Sequence, residues 1–437
     1  MIKKYLYDIF LKISRKDFEV QYNSIELSNY KKYLENLLLH SYVNVPYYSK
    51  IFQNINLINN KINMYKFYNL PILTKDIIRK HYTELISKDY MKRKWYYNSS
   101  GGSTGEPVRF IQDELYKKWS NATNKYYYHN MLGIDEMHCK KVILWGSERD
   151  IFEGTIGLRA KISNWLTNTI FLNSFRMTKE DMEKYVKIIN QYKPELIRGY
   201  ASSLYELCKF AEMNDLKIFT PKVLVSAAET LNDYMREKIE SVFGTKVYNF
   251  YGSREVNGIA GECREGSMHI FIFSNYVEIL DYHNLPVTEG REGKIIVTNL
   301  HNYSMPLIRY EIGDTGILES RRCKCGNQLP ILKKITGRIT DHFIKKDGTI
   351  IHGEYFTHLF YLKDWIKTFR VIQEDYDKIR ILAVPQGKIN EIEKKDIENK
   401  IKLVMGKDCK IYWEFLEEIS KPKSGKHLYT QSLLYER

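Results

Sequence analysis

Between Lys140 and Gly252 the chain reads VILW (142–145), KEDMEKYVKIINQY (179–192), VLVSAA (223–228) and VYNFYG (247–252). VILW and VLVSAA are short apolar runs of the kind found in buried strands, whereas 179–192 carries its apolar residues at helical spacing. VYNFYG is a further β-type run that closes on a glycine turn. Strands alternating with helices predict an α/β sheet whose ligands gather at the strand C-terminal ends. Those ends fall at Trp145-Gly146-Ser147, Tyr200-Ala201-Ser202 and Ala227-Ala228-Glu229, which makes Trp145, Tyr200, Ala228 and Glu229 candidates for binding a substrate.

Working outward, residues 1–95 read as helical and polar. Apolar positions recur at three and four (Tyr33, Leu34, Leu37, Leu38, Leu39), and the prolines of VPYY and LPIL break the helices. On the other side, VEIL, KIIVTNL and GILES within 276–318 are β-rich and separated by turns. Beyond Gly337 come IRILAV (379–384), a charged helical stretch at 391–404 and IYWEFL (411–416), the pattern of a small α+β unit. The expected organisation is a large domain over 1–337, with a β-rich part at 262–337, followed by a small domain over 338–437.

A chain of 437 residues exceeds the size at which one core stops growing, so more than one domain is expected. Hydrophobic residues at 43% and charged residues at 27% place it among globular proteins. Lys and Arg number 67 against 53 Asp and Glu, a balance of +14 that favours anionic partners such as nucleotides or acidic glycans. No basic run alternates with aromatics and no nucleic-acid-binding signature is present, which argues against nucleic acid. The first 20 residues lack a continuous apolar stretch, and nothing elsewhere reaches 18 uninterrupted apolar residues, so no transmembrane helix is expected. A cytoplasmic location follows as the expectation, with peripheral membrane contact open to the basic amphipathic start.

Ser99-Ser100-Gly101-Gly102-Ser103-Thr104-Gly105-Glu106-Pro107 is the strongest local signal. Its three glycines permit open turns and close approach to a ligand, successive N–H groups can form an anion-binding nest, and the hydroxyls add donors. No Lys follows the last glycine, so this is not the P-loop of kinases and GTPases. Taken alone, the loop is equally a phosphate cradle or a flexible turn.

Four further segments follow in order: Tyr251-Gly252-Ser253-Arg254-Glu255, Arg309-Tyr310-Glu311-Ile312-Gly313-Asp314, Gly337-Arg338 and Lys423-Ser424-Gly425-Lys426. Together with the loop they resemble the adenylate-forming superfamily of acyl-CoA synthetases and adenylation domains. NVPYY (44–48), LPILTK (70–75), RGYASSL (198–204), SAAETL (226–231) and MPLIRYEIGD (305–314) narrow the resemblance to the phenylacetate–CoA ligase family, in its capsular-polysaccharide-biosynthesis branch. The resemblance implies a large domain of mixed and parallel sheets and a small, mobile α+β lid. It also implies roles. Residues 99–105 would wrap the β- and γ-phosphates of ATP, Tyr251 would lie against the adenine face with Gly252 and Ser253 also part of the ATP site, and Glu255 would hold Mg²⁺. Asp314 would accept from the ribose hydroxyls, Arg338 would lie near ribose and phosphates, and Lys426 would neutralise charge as the adenylate forms.

Two positions depart from the superfamily pattern. Arg254 stands where a Thr or Ser usually precedes the magnesium-binding Glu, and an Arg there can serve a phosphate or acidic substrate bidentately. Thr340 stands where an acidic residue usually follows the hinge Arg. These departures motivate a non-catalytic scaffold as one alternative; intact Glu255, Asp314, Arg338 and Lys426 oppose it.

The remaining cluster is Cys263 and His269 with Cys323 and Cys325. Three thiolates and one imidazole suffice for a closed tetrahedral structural zinc site, against the plainer reading of reduced cysteines beside an unrelated His. The expected chemistry is attack of a carboxylate on ATP to give acyl-AMP and pyrophosphate, then transfer of the acyl group. The acceptor is either the thiol of CoA or an amine or hydroxyl on an amino acid, sugar or lipid-linked glycan.

Overall fold

The computed structural model describes residues 18–52, 67–100, 108–145, 164–174, 177, 179–338, 343–346, 350–351, 356, 359–360, 363, 365–419 and 429–435. The chain separates into two compact units: one holds most of the first 335 residues, the other holds Thr336–Arg437 together with Gly101–Glu106 and Gly313–Thr315. No helix among the described residues is long and apolar enough to cross a membrane.

In the first unit a hairpin of β1 (Trp95–Ser99) and β2 (Arg109–Asp113) precedes the main sheet. That sheet is built from β3 (Lys141–Trp145), β4 (Thr169–Asn173), β5 (Leu196–Gly199), β6 (Val223–Ala227), β7 (Val247–Ser253), β8 (Asn257–Glu262), β9 (Met268–Ile270), β10 (Asn275–Leu280), β11 (Glu292–Asn299), β12 (Tyr310–Glu319) and β13 (Ile331–Arg338). Its strand order is 10-11-12-13-9-8-7-6-5-3-4. Strands 4-3-5-6-7 run parallel, and antiparallel pairing begins at the β7–β8 turn. The α/β half and the β-rich part expected from the sequence are therefore one continuous mixed sheet.

The parallel strands are mainly apolar on both faces because both faces are covered. On one face Val142, Leu144, Ile197, Leu224 and Val247 pack against helices 179–192, 201–213 and 233–243, through Ile189, Leu204, Ile239 and Phe243. On the other, Leu196, Val223, Val225, Ala227 and Phe250 meet Tyr127, Tyr128, Met131 and Leu132. Each fully buried side chain of this size contributes on the order of 2 kcal/mol.

The N-terminal helical segment docks on the β-rich end. Leu34, Leu37 and Leu38, from helix Tyr30–Asn44, share a cluster with Leu73, Ile295, Val297, Leu307 and Ile308. Polar groups fix the docking. Asp113 caps helix Glu114–Lys125 through the Tyr116 N–H, while its second oxygen accepts from the N–H groups of Tyr303 and Ser304, each at 3.0 Å. The Arg309 guanidinium is buried in a pair with Glu278 (2.9 and 3.1 Å) and donates to the carbonyls of Tyr68 and Leu70.

His301 belongs to the same junction. Its ring stacks on Trp119 at 3.9 Å with 3° between planes, Tyr33 meets its edge, and its Nε2–H donates to the Phe273 carbonyl at 2.7 Å. Burial lowers its pKa from 6.5 to about 3. The folded state thus refuses a proton that the unfolded chain accepts, so this contribution is intact above about 6.5 and is lost as pH falls towards 3. The limiting slope is about 1.4 kcal/mol per pH unit. A His301→Phe variant is expected to have a shallower decline in urea-unfolding stability across that window, and an unchanged slope would contradict the assignment.

In the second unit, β14 (Phe343–Ile344) pairs with β15 (Ile350–Ile351), and a four-stranded sheet has the order 18-17-16-19. The latter comprises β16 (Ile366–Asp375), β17 (Lys378–Pro385), β18 (Lys410–Phe415) and β19 (Thr430–Ser432). Helix Glu391–Met405 starts where the Asn390 side chain accepts from the Glu393 N–H, and its Ile397, Ile401 and Met405 pack with Val371, Ile379 and Ile381.

Candidate active site and metal cluster

Because β3, β5, β6 and β7 are parallel and in register, their C-terminal ends lie along one edge of the sheet. Leu144 pairs with Gly199, so Trp145 and Tyr200 follow side by side, their ring centres 4.4 Å apart. Ala227 pairs with Phe250, which brings Ala228 to the level of Tyr251. Four segments identified in the sequence thus meet at this edge.

Ala228 holds a left-handed conformation (φ 69°) that turns the chain off β6. The next residue, Glu229, accepts from the Ser202 N–H at 2.8 Å. Its carboxylate lies at the N-terminus of helix 201–213, where unsatisfied N–H groups favour a negative charge. Glu229 therefore has a structural task of its own beside the substrate-binding one expected for it.

Tyr251, Gly252 and Ser253 end β7, and a bulge between Tyr251 and Gly252 aims the following turn. Only glycine fits there: a Cβ at 252 would lie 2.3 Å from the Asn257 carbonyl oxygen. Arg254 and Glu255 form the turn itself. Gln112 donates to both of their carbonyls (2.8 and 3.3 Å), and the Tyr116 hydroxyl donates to that of Arg254. The Glu255 side chain is buried and its Oε1 accepts from the Tyr310 hydroxyl at 3.2 Å. Among the described residues no hydrogen bond engages its second oxygen, and a carboxylate oxygen is a suitable ligand for a hard cation such as Mg²⁺. Gln112, Tyr116 and Tyr310, which hydrogen-bond the 254–255 turn and Glu255, were not singled out in sequence; Tyr310 lies inside a recognised motif, but nothing in sequence marks Gln112 or Tyr116.

Ser99 ends β1. Ser100 clamps the base of the hairpin, its N–H donating to the Val108 carbonyl and its Oγ accepting from the Val108 N–H, both at 2.9 Å. Gly101, Gly102, Ser103, Thr104 and Gly105 lie outside the described residues, as does Lys426. Asp314 lies within β12, four residues beyond Tyr310, and Arg338 ends β13.

The second constellation lies at the β8–β9 turn. The Gly266 N–H donates to the Cys263 carbonyl in a turn that needs the positive φ of Gly266 (79°), bringing Cys263 and His269 to one end of the hairpin. β9 pairs with β13 at His269–Ile331, which sets the 323–326 turn alongside. The ligand atoms of Cys263, His269, Cys323 and Cys325 all lie within 4.8 Å of one another. Cys263 and Cys323 sulfurs are 3.7 Å apart, too far for a disulfide and close to the ~3.8 Å edge of a tetrahedron with Zn–S bonds of ~2.3 Å. Backbone N–H groups of Cys325 and Asn327 point at the Cys323 and Cys325 sulfurs. His269 Nδ1–H donates to the Leu329 carbonyl at 3.0 Å, which leaves Nε2 facing Cys325 Sγ at 3.3 Å. Orienting an imidazole in this way is the usual second support of a metal-ligating His, so the donor set fits a closed zinc site with no place for a catalytic water.

The CapK C-terminal domain family matches residues 343–432. Protein CapK of Staphylococcus aureus is 28% identical over 400 residues, covering 88% of this chain and 84% of its own. Phenylacetate-coenzyme A ligase of Thermus thermophilus is 25% identical, covering 71% and 70% respectively. Among solved structures, 2-hydroxyisobutyryl-CoA ligase in the postadenylation state, in complex with an acyl-AMP, superposes with a TM-score of 0.71 at 17% identity over 94% of this chain and 90% of its own. An anthranilate CoA ligase in complex with anthranoyl-AMP gives 0.52 over 76% and 65%. The chain is thus a homologue of CapK and of phenylacetate-coenzyme A ligase, built on the fold of the adenylate-forming CoA ligases.

Proposed function

We propose that this protein activates a carboxylic acid with ATP, forming an acyl-adenylate and pyrophosphate, and then passes the acyl group to an amine or hydroxyl acceptor in surface or capsular polysaccharide synthesis. The observation that carries the reading is the edge where Trp145, Tyr200, Ala228 and Tyr251 meet beside buried Glu255. An aromatic wall there can hold an acyl group, and Tyr251 offers a face for adenine.

In this reading the acid's oxygen attacks the α-phosphorus of ATP in line with the departing pyrophosphate. Mg²⁺, when bound, supplies positive charge to the phosphates; Glu255, steadied by Tyr310, is the residue that would hold it. Gln112 and Tyr116 keep the 254–255 turn from relaxing, so that Arg254 and Glu255 are preorganised rather than recruited. The loop at 99–105 would cradle the polyphosphate, Asp314 would accept from the ribose, and Arg338 and Lys426 would supply positive charge. The capsular assignment is supported by the relationship to CapK, and location in the cytoplasm accords with an ATP-dependent reaction.

A CoA thioester is the second reading, favoured by the coenzyme A ligases among the relatives. The experiment is release of pyrophosphate from Mg²⁺–ATP with pooled aryl, amino, fatty and uronic acids, each with and without CoA. Release with a subset of acids supports adenylation, and acceleration by CoA favours the thioester. Absence of both release and ATP binding would sink the proposal.

We further propose that Cys263, His269, Cys323 and Cys325 bind one structural Zn²⁺. Metal analysis of protein purified under reducing conditions should find about one zinc per chain. If the ion contributes ~2 kcal/mol of anchoring, chelation or a Cys323→Ser change lowers the unfolding midpoint by roughly 3 °C. Metal-free protein with an unaltered midpoint would reject the site.

A further inference from the structure

Arg198 sits in β5, in register with Val225, on the face of the sheet that carries Leu196, Val223, Ala227 and Phe250. Its guanidinium carbon lies 5.3 Å from the ring centre of Trp145 and 5.4 Å from that of Phe250. Its Nε is buried and meets no hydrogen-bond acceptor among the described residues. Among the described residues no carboxylate pairs with it. Burial pushes the Tyr128 phenol up, and both the charge of Arg198 and a polar interaction with its side chain oppose that rise.

A guanidinium cannot shed its proton to escape such a place. Arg198 as a whole is only half-buried, and the two aromatic faces offset part of what its charge loses on leaving water. A cation in this setting favours an anionic partner. Arg198 precedes Gly199-Tyr200 and contacts Trp145, so it stands at the strand-end edge assigned to the acyl group.

We infer that Arg198 is a specificity residue that pairs with a second anionic group on the acid being activated. The substrate class is then a carboxylic acid with a distal negative charge, such as a dicarboxylate or a phosphorylated sugar acid, rather than a fatty or simple aryl acid. This inference rests on the proposed acid-activating function, which assigns that edge to the acyl group.

The test compares matched pairs: succinate against butyrate, and glucuronate 1-phosphate against glucuronate. Affinity is measured by calorimetry and turnover by pyrophosphate release, in wild type, Arg198→Met and Arg198→Lys. In wild type the member of at least one pair that carries the second anionic group should bind roughly 10- to 100-fold more tightly, the range for hydrogen bonds to charged groups. That ratio should collapse to about one in Arg198→Met and recover partly in Arg198→Lys. Which pair responds tells a carboxylate source from a phosphate source. Equal binding within both pairs, no binding by either, or a ratio that survives Arg198→Met overturns the inference. A charge preference without pyrophosphate release would leave the role of Arg198 standing and remove the adenylation reading; release from uncharged-tail acids without any preference would do the reverse.

Discussion

Lys426→Ala is expected to abolish most adenylation while leaving ATP binding intact. Lys426 lies in KSGK (423–426), within the span matched by the CapK C-terminal domain family, and the resemblance gives it the charge forming between carboxylate and α-phosphate. A group that acts only where charge develops affects the rate and not the ground-state complex. Loss of one such stabiliser typically costs ~10²–10³ in kcat. Pyrophosphate release should therefore fall by that factor at saturating acid, with the ATP dissociation constant changed by less than about threefold. Lys426→Arg, which keeps the charge on a different shape, should lie between. Wild-type turnover in Lys426→Ala, with far-UV circular dichroism unchanged, would remove Lys426 from the chemistry.

The second large effect concerns stability. Arg309→Met leaves Glu278 buried without its partner and orphans the carbonyls of Tyr68 and Leu70. Removing one member of a buried pair costs ~3–5 kcal/mol, because the survivor stays charged in a poor solvent. Burial already raises the Glu278 pKa and the Arg309 charge opposes that rise. Once Arg309 is gone, Glu278 is most easily accommodated protonated. The deficit of the variant relative to wild type should thus shrink as pH falls through the raised carboxyl range. Glu278→Leu combined with Arg309→Met should be less destabilised than Arg309→Met alone, since apolar replacement of both partners is often near neutral. Urea unfolding followed by tryptophan fluorescence measures all three. A loss below about 1 kcal/mol in the single variant would show that the pair is dispensable.

These two residues mark what the sequence can and cannot disclose. VILW and VLVSAA were legible as strands because burial on both faces leaves short, nearly apolar runs, whereas VYNFYG, only partly buried, was legible from its β-type residues and closing glycine. Helix 179–192 was legible because its buried positions, Tyr185, Val186 and Ile189, recur at helical spacing. Pairing partners are a different matter. Arg309 stands in a recognisable motif, yet its partners lie 31, 239 and 241 residues away, and no local pattern records them. The same holds for Gln112, which supports the 254–255 turn across 142 residues. Glu229 illustrates the converse: its position after a strand invites a substrate role, while its bond to the Ser202 N–H depends on how two adjacent crossovers end together. The four-residue Cys/His set could be grouped by residue type alone, but its closeness in space depends on β9 pairing with β13.

The docking of the N-terminal helical segment also has a consequence for biosynthesis. Leu34, Leu37, Leu38, Phe67 and Leu73 are covered by Ile295, Val297, Met305, Leu307 and Ile308, and the Arg309 bonds to Tyr68 and Leu70 span about 240 residues. At ~5–20 residues per second, a ribosome needs roughly 10–50 s to make the covering strands after Tyr68 has been added. Throughout that interval the nascent chain carries an apolar helical surface with nothing of its own to bury it. Chaperone binding to the emerging chain should therefore be heaviest before residue 300 is synthesised, and the yield of folded protein should depend on holding this segment out of aggregates until then.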